Sequence, residues 1–322
     1  MPSSAAVNNE IRFDWTVAEA EQIMAMPFHD LLFEAHKLHR DRHEPHVVEA
    51  AMLLSIKTGA CPEDCAYCSQ SARNDADLGP EPLMKVDDIV ERAIAAKAAG
   101  ATRFCMGAAW RSPSDRQVAQ VARAVTAVGD LGMETCVTLG MLSASQAEEL
   151  AAAGLDYYNH NLDTSPEYYP QIITTRTYDD RLETLDNVRA AGVRLCTGGI
   201  VGLGESRTDR ASLLAQLARL EPHPETVPIN LLVQIPGTAL FGTDKLDPLE
   251  LVRTIAAARL MMPETVIRLS AGRNEMSDEL QALCLHAGAS SIFLGDRLLT
   301  TDNAGQSRDE SLLERLDTAA RS

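Results

Sequence analysis

Apolar positions along this chain follow two different periods. Near the start they recur at helical spacing: Val17, Ala20, Ile23 and Met24 come after Thr16, and Thr16-x-x-Glu19 has the form of a capping box. A second helix is predicted over 28–42, with Leu31, Leu32, Ala35 and Leu38 on one face. Its histidine-rich end (His36, His39, His43, His46) reads as a solvated helix terminus, where positive charge is favourable. From Ala50 onward short apolar runs take over. Helical stretches end in Ala-Gly at Ala99-Gly100, Ala153-Gly154, Ala191-Gly192 and Ala287-Gly288, and each passes at once into such a run. Glycine closes a helix because it adopts the left-handed conformation without a Cβ clash, and a short loop to a strand comes next. Runs at 50–56, 102–107, 134–139, 155–160, 193–198, 227–233, 266–271 and 290–295 give eight predicted strands. Ser143-x-x-Gln146 and Ser145-x-x-Glu148 both read as capping boxes at one helix start.

Alternating helices and strands imply a parallel sheet in an α/β fold. Eight units over about 240 residues match a closed (β/α)8 TIM-type barrel with an N-terminal helical extension. A doubly wound open sheet is the runner-up. Three segments are expected: a helical cap over 1–48, its first ten residues disordered; the barrel over 49–302; and a polar segment over 303–322 ending in a short helix at 311–320. In such a barrel, functional residues sit at the C-terminal ends of strands and in the loops just after them.

Charge narrows the partners. The formal net charge of −17 argues against a nucleic-acid or anionic-membrane surface. No apolar run approaches the length of a membrane span, and the first residues lack a secretory pattern. Seven cysteines in 322 residues do not read as a disulfide scaffold, so a reducing cytoplasm is expected.

Three of those cysteines lie in Cys61-Pro-Glu-Asp-Cys65-Ala-Tyr-Cys68, in the loop after the first predicted strand. Thiolates bind soft metals and iron–sulfur clusters. A closed zinc site needs a fourth ligand; no His or Cys lies between Cys68 and Cys105, and His46 would have to fold back from before the strand. Three ligands on a cluster leave one iron open, which is where chemistry can occur.

Other candidates lie on the strands. Cys105, Cys136 and Cys196 are mid-strand in three different units, where inward side chains meet; they are either small core hydrophobes or a second metal site. Cys284 falls in a predicted helix and reads as packing. Asn159, Asn161 and Asp163 share one parity at the end of the fourth strand, and Asn230 stands between apolar neighbours on the sixth. Polar groups facing inward need a partner, which a ribose or ureido group would supply. Arg268 on the seventh strand needs an anion or a metal-bound sulfur nearby. The Gly-rich stretch Gly198-Gly-Ile-Val-Gly-Leu-Gly204-Glu205 lacks dinucleotide-fingerprint spacing, but its glycines let the backbone approach a flat ligand.

The CxxxCxxC spacing with Tyr67 before the last cysteine resembles the radical S-adenosylmethionine (SAM) superfamily. Within it, the segments Gly59-Ala-Cys-Pro-Glu-Asp-Cys-Ala-Tyr-Cys-Ser-Gln70, Tyr158-Asn-His-Asn-Leu-Asp-Thr164, Gly198 to Glu205, Val227-Pro-Ile-Asn230 and Arg268-Leu-Ser-Ala-Gly-Arg273 resemble the biotin synthase family, in the same order from about residue 17 to about 302. The resemblance implies a sulfurtransferase that inserts sulfur into dethiobiotin to form biotin, the last step of biotin biosynthesis. It implies a [4Fe–4S] cluster on Cys61, Cys65 and Cys68 that binds SAM, and a [2Fe–2S] cluster on Cys105, Cys136, Cys196 and Arg268. Arginine is an unusual ligand, since guanidinium has no free lone pair. The resemblance further places Asn159, Asn161 and Asn230 near dethiobiotin or SAM, Asp163 near the SAM ribose, and Tyr67 and the Gly202–Glu205 segment beside the adenine. It implies a homodimer served by reduced flavodoxin or ferredoxin. The competing readings are another radical SAM reaction, which would not need Cys105, Cys136, Cys196 and Arg268, and a non-enzymatic electron carrier or zinc-stabilised binding module.

Overall fold

The computed structural model describes residues 11–321. Twelve strands are defined among them: β1 Val47–Lys57, β2 Arg103–Ala108, β3 Glu134–Thr138, β4 Tyr157–Asn159, β5 Arg194–Cys196, β6 Gly199–Val201, β7 Thr226–Leu231, β8 Val266–Leu269, β9 Ser291–Phe293, β10 Arg297–Leu298, β11 Thr301–Asp302 and β12 Ala319–Arg321. Parallel pairing runs β1-β2-β3-β4-β5-β7-β8-β9 and closes through β9 on β1, with β6 continuing the fifth stave beside β7. This is the expected closed eight-stave barrel. The open-sheet alternative fails at the β1–β9 seam, where Glu49, Ala50 and Ala51 pair with Ser291, Ile292 and Phe293.

The helix ends form as their residues dictate. Thr16 caps Val17–Met24, with both halves of the capping box made. The four glycines after Ala-Gly helix ends all have positive φ, between 80° and 114°. Ser143, not Ser145, caps Ala144–Ala152; Ser145 sits inside the first turn and bonds Ser143 Oγ instead. The N-terminal helices pack on the outer ring, Val17–Met24 against Arg207–Ala218 and Phe28–Arg42 against Pro248–Met261. Packing there overturns the solvated reading for His39 and its neighbour His43, while His46 is exposed as expected and His36 is half-buried. His39 is buried, its ring stacks on His43 at 5.2 Å, and His43 meets the buried Arg259.

The C-terminal segment also departs from expectation. Its helix spans Gln306–Arg315 rather than 311–320, starting after Gly305 and burying Leu312 and Leu313. Ala319–Arg321 is a strand that pairs with Val47–Glu49 of β1, at the N-terminal end of the barrel. Asp317, with φ of 50°, ends the helix and turns the chain into that strand. The expected disorder of residues 1–10 lies outside the described residues. No helix among those described is long and apolar enough to cross a membrane.

Candidate functional site

Each predicted metal ligand is delivered by the barrel itself. β1 runs into Thr58, Gly59 and Ala60, and positive φ at Gly59 (67°) and Ala60 (51°) bends the chain into the cysteine loop. Two backbone bonds then zip Cys61 to the far end of that loop: Cys61 N donates to Gln70 O at 2.9 Å and Ala72 N to Cys61 O at 2.8 Å. Asn74 Nδ2 donates to Cys65 O (3.0 Å) and Cys68 O (2.8 Å), so both carbonyls are held while the thiols stay free. Asp64 in turn accepts from the Thr174 and Thr175 amides at 2.9 and 3.2 Å. Burial pushes the Cys65 thiol up to about 12 and the Cys68 thiol up to about 11, so a bound cation must offset burial before they ionise.

The second triad lies deeper. Cys105 and Cys136 are register partners on β2 and β3, and Cys196 pairs with Asn159 across β4 and β5. All three are buried, at 1–3 % exposure. Hydrogen bonding to Cys136, with the charges of Arg268 and Arg103, draws Cys105 down and Cys196 down to about 6, while the same contacts and burial push Cys136 well up. Asn159 Nδ2 adds a contact to Cys196 Sγ at 3.3 Å. Opposite stands Arg268, 1 % exposed, its Nε donating to Ser291 Oγ at 2.9 Å. Both terminal guanidinium nitrogens, Nη1 and Nη2, are buried without a hydrogen-bond partner. Such orphaned donors are costly, and three thiols on the facing strands are the chemistry that a small iron–sulfur group would use to satisfy them. Among the described residues no three His, Cys, Asp or Glu side chains are set to hold a single metal ion.

One cavity of about 320 Å³ joins the two triads. All six of these cysteines line it, with Arg268, Tyr67, Asn159, Asn161, Asp163 and Asn230. The polar residues are pinned by backbone. Asn161 Oδ1 accepts from Gly198 N (3.1 Å), while Asn230 Nδ2 donates to Gly199 O (3.0 Å) and Oδ1 accepts from Ala271 N (3.1 Å). Asp163, with φ of 65°, is buried against Arg181, whose Nη2 donates to its Oδ2. Gly202 and Glu205 do not line the cavity. Glu205 folds back, taking hydrogen bonds from the Gly202 and Leu203 amides and from Arg210 Nη1 (2.8 Å). From that stretch Ile200 reaches the cavity instead. Cys284 packs inside its helix, away from the site.

Residue patterns missed several wall groups. Arg176 Nη2 lies 3.8 Å from Cys65 Sγ, and Glu63, 1 % exposed, sits between Arg111 and Arg176. His160 is buried with Nε2 unpartnered. Glu63 was visible as an acid between two cysteines; Arg176 and Arg181 arrive from a distant loop and helix and carried no local signal.

Residues 55–217 match the radical SAM superfamily and residues 228–319 the biotin and thiamin synthesis associated domain. The chain is 60 % identical over 314 residues to the biotin synthase of Thioalkalivibrio sulfidiphilus, covering 98 % of this chain and 92 % of that one. The chain belongs to the biotin synthase family. A second member, from Shewanella frigidimarina, is 60 % identical over 95 % of this chain and 88 % of its own length. The biotin synthase fold is shared more widely: methylornithine synthase superposes with a TM-score of 0.80 at 18 % identity, covering 95 % of this chain and 94 % of its own. The hydrogenase maturase HydG of Carboxydothermus hydrogenoformans superposes with 0.79 at 18 %, covering 94 % and 75 %. At that identity the likeness speaks for the barrel alone.

Proposed function

We propose that this member of the biotin synthase family converts dethiobiotin to biotin inside the barrel, using SAM and two iron–sulfur clusters. Cys61, Cys65 and Cys68 would hold a [4Fe–4S] cluster that binds SAM; Cys105, Cys136, Cys196 and Arg268 would hold a [2Fe–2S] cluster. When bound, the first cluster with SAM supplies a carbon radical able to take hydrogen from an unactivated C–H bond, and the second supplies sulfur.

The chain's own residues bind, orient and exclude water. Asn230 and Asn161, fixed by backbone bonds on β7 and after β4, offer amide edges to a ureido ring. Asp163 is held by Arg181 as an acceptor for a ribose hydroxyl. Tyr67 lines the cavity and would flank the adenine. Gly202 and Glu205 would act one step removed, by holding the backbone that carries Ile200. Leu231, Leu232, Phe293 and Leu298 supply apolar wall around these groups, which keeps a reactive radical from water. The working unit is a homodimer in the cytoplasm, with reduced flavodoxin or ferredoxin as electron donor. Among the described residues the division falls slightly earlier than expected: the helical cap ends before β1 at Val47, the barrel runs from there to about 302, and the C-terminal segment sends its last strand, Ala319–Arg321, back onto β1.

The observation that carries this reading is Arg268, buried with two unpartnered nitrogens across one cavity from three thiols. Iron and acid-labile sulfide after anaerobic reconstitution test it. About six irons per chain are expected in the wild type and about four in Cys136→Ala, with biotin formed from dethiobiotin and SAM by the wild type alone. About four irons in both would remove the second cluster.

A further inference from the structure

Cys105, Cys136 and Cys196 are walled in. Each barrel stave is hydrogen-bonded to its neighbours, so whatever assembles on the triad enters by an end of the barrel. The C-terminal mouth is crowded: the cysteine loop and the β10–β11 hairpin meet there through Ser69 Oγ and Thr300 Oγ1 at 2.9 Å, and Leu298 and Leu299 reach into the cavity. SAM and dethiobiotin would fill what is left.

The N-terminal end is built differently. Barrel interiors usually carry layers of bulky aliphatic side chains. Here Arg103, Glu134, Tyr157, Arg194 and Thr226 stand at the first positions of β2, β3, β4, β5 and β7. Tyr157 is the register partner of Cys136 on one side and of Arg194 on the other. Its ring packs in one cluster with the three cysteines. The same ring is clamped between two guanidiniums, Arg103 at 3.6 Å and Arg194 at 4.0 Å, and its hydroxyl donates to Glu134 Oε1 at 3.4 Å. Arg194 and Glu134 are half-exposed, with side-chain exposures of 40 % and 39 %, so one aromatic ring spans from the triad to groups at the surface. Arg194 and Glu134 also bond each other, and Arg194 bonds Asp156 at 2.8 Å. On its inner side the ring packs with Ala51, Phe293 and Leu298, and Arg103 on one face is buried and bonded to Thr226 at 3.0 Å. On the outer side only Arg194 and Glu134, both half-exposed, hold it, so that is the side toward which it can swing.

We propose that the N-terminal end of the barrel is a second entrance, by which ferrous iron and hydrosulfide reach Cys105, Cys136 and Cys196, and that the Tyr157 ring is its gate. The inference rests on the reading that the triad holds an inorganic cluster, but the gate is testable without it. In the full-length protein before reconstitution, a small methanethiosulfonate reagent is applied and modified cysteines are identified by peptide mass. Tyr157→Ala is expected to speed modification of Cys136 at least tenfold, and Tyr157→Phe to leave it near the wild-type rate. Arg194→Ala, which strips the outer face of the clamp together with its bonds to Glu134 and Asp156, is expected to speed it several-fold and keeps the test open if Tyr157→Ala does not fold. In reconstituted enzyme saturated with SAM and dethiobiotin, the same variants should release the irons that Cys136→Ala lacks to a chelator faster, by similar factors. Unchanged Cys136 modification in both opened variants, with circular dichroism unaltered, overturns the proposal. Fast modification with no triad iron in any variant would instead reject the cluster reading and keep the entrance.

Discussion

Arg268 and Ser291 are register partners on β8 and β9, and the 2.9 Å bond from Arg268 Nε to Ser291 Oγ is the hydrogen bond that aims the guanidinium at the cysteines. Ser291 is itself anchored, donating to Glu49 O at 3.0 Å across the barrel seam. Ser291→Ala leaves a buried Nε without an acceptor, at about 1–3 kcal/mol. The urea midpoint of the metal-free protein should fall accordingly. A midpoint within error of wild type would mean the guanidinium finds another acceptor.

Asp163 and Arg181 form a buried pair, with side-chain exposures of 3 % and 5 %. Removing one partner strands the other charge, at about 3–5 kcal/mol. Arg181→Met should therefore destabilise more than the double variant Asp163→Asn/Arg181→Met, measured by denaturant unfolding. Additive losses would show that the two residues are not coupled.

The buried His39 has its basicity drawn down to about 3, by burial first and then by the charge of Arg259; His43, more open, is drawn down to about 4 by the same causes. An unfolded histidine takes its proton near 6.5, so below that pH the unfolded chain binds more protons than the folded one. The stabilisation is fully present above about 6.5 and drains away as pH falls through 4 and 3. His39 alone accounts for up to about 1.4 kcal/mol per pH unit in that window. His39→Gln should flatten the acid limb of a stability–pH curve. An unaltered slope would show that His39 already protonates in the fold.

Gly198 and Gly100 make a matched pair. A Cβ at Gly198 would lie 2.0 Å from the Pro228 carbonyl oxygen, which belongs to the adjoining stave. At Gly100, φ is 90° but the space is open, so alanine there meets only backbone strain of about 1–2 kcal/mol. Gly198→Ala should cost clearly more in thermal melts and should also lower iron loading, because Gly198 N holds Asn161 and lies two residues after Cys196. Equal melting temperatures would mean β5 and β7 can part locally.

Arg176 faces Cys65 and Glu63 at once. Arg176→Ala should leave Glu63 as a buried carboxylate served by Arg111 and Thr175, and loosen the cysteine loop. Iron retained after gel filtration should drop toward the amount held by the inner triad. Full retention would confine Arg176 to packing.

The barrel was legible because its punctuation is local: Ala-Gly helix ends and capping boxes at Thr16 and Ser143 act over three or four residues. That six cysteines meet in one cavity was legible because loop spacing groups Cys61, Cys65 and Cys68, and mid-strand placement in three staves turns Cys105, Cys136 and Cys196 toward a common interior. What sequence did not reveal is non-local. Strand β12 is three residues without alternation, and its partner lies at Val47–Glu49, some 270 residues earlier. Arg181 reaches Asp163 from a separate helix, so an acid read as waiting for a ribose already has a cation. Glu205 looked available to a ligand but is taken by amides two and three residues before it, a loop geometry that residue type alone does not encode.

The β1–β9 seam has a consequence for how the molecule is made. It joins residues 242 apart, through Ser291 and Glu49. On a translating ribosome all six cavity cysteines, from Cys61 to Cys196, have emerged before the closing strand exists. Early staves can pair as they appear, but the circle completes last. A nascent chain therefore carries its thiols on an open, curved sheet, vulnerable to oxygen for as long as synthesis of the last hundred residues takes. Slowing translation after Cys196, or growing cells with more oxygen, should cost this protein more yield than it costs a barrel without thiols.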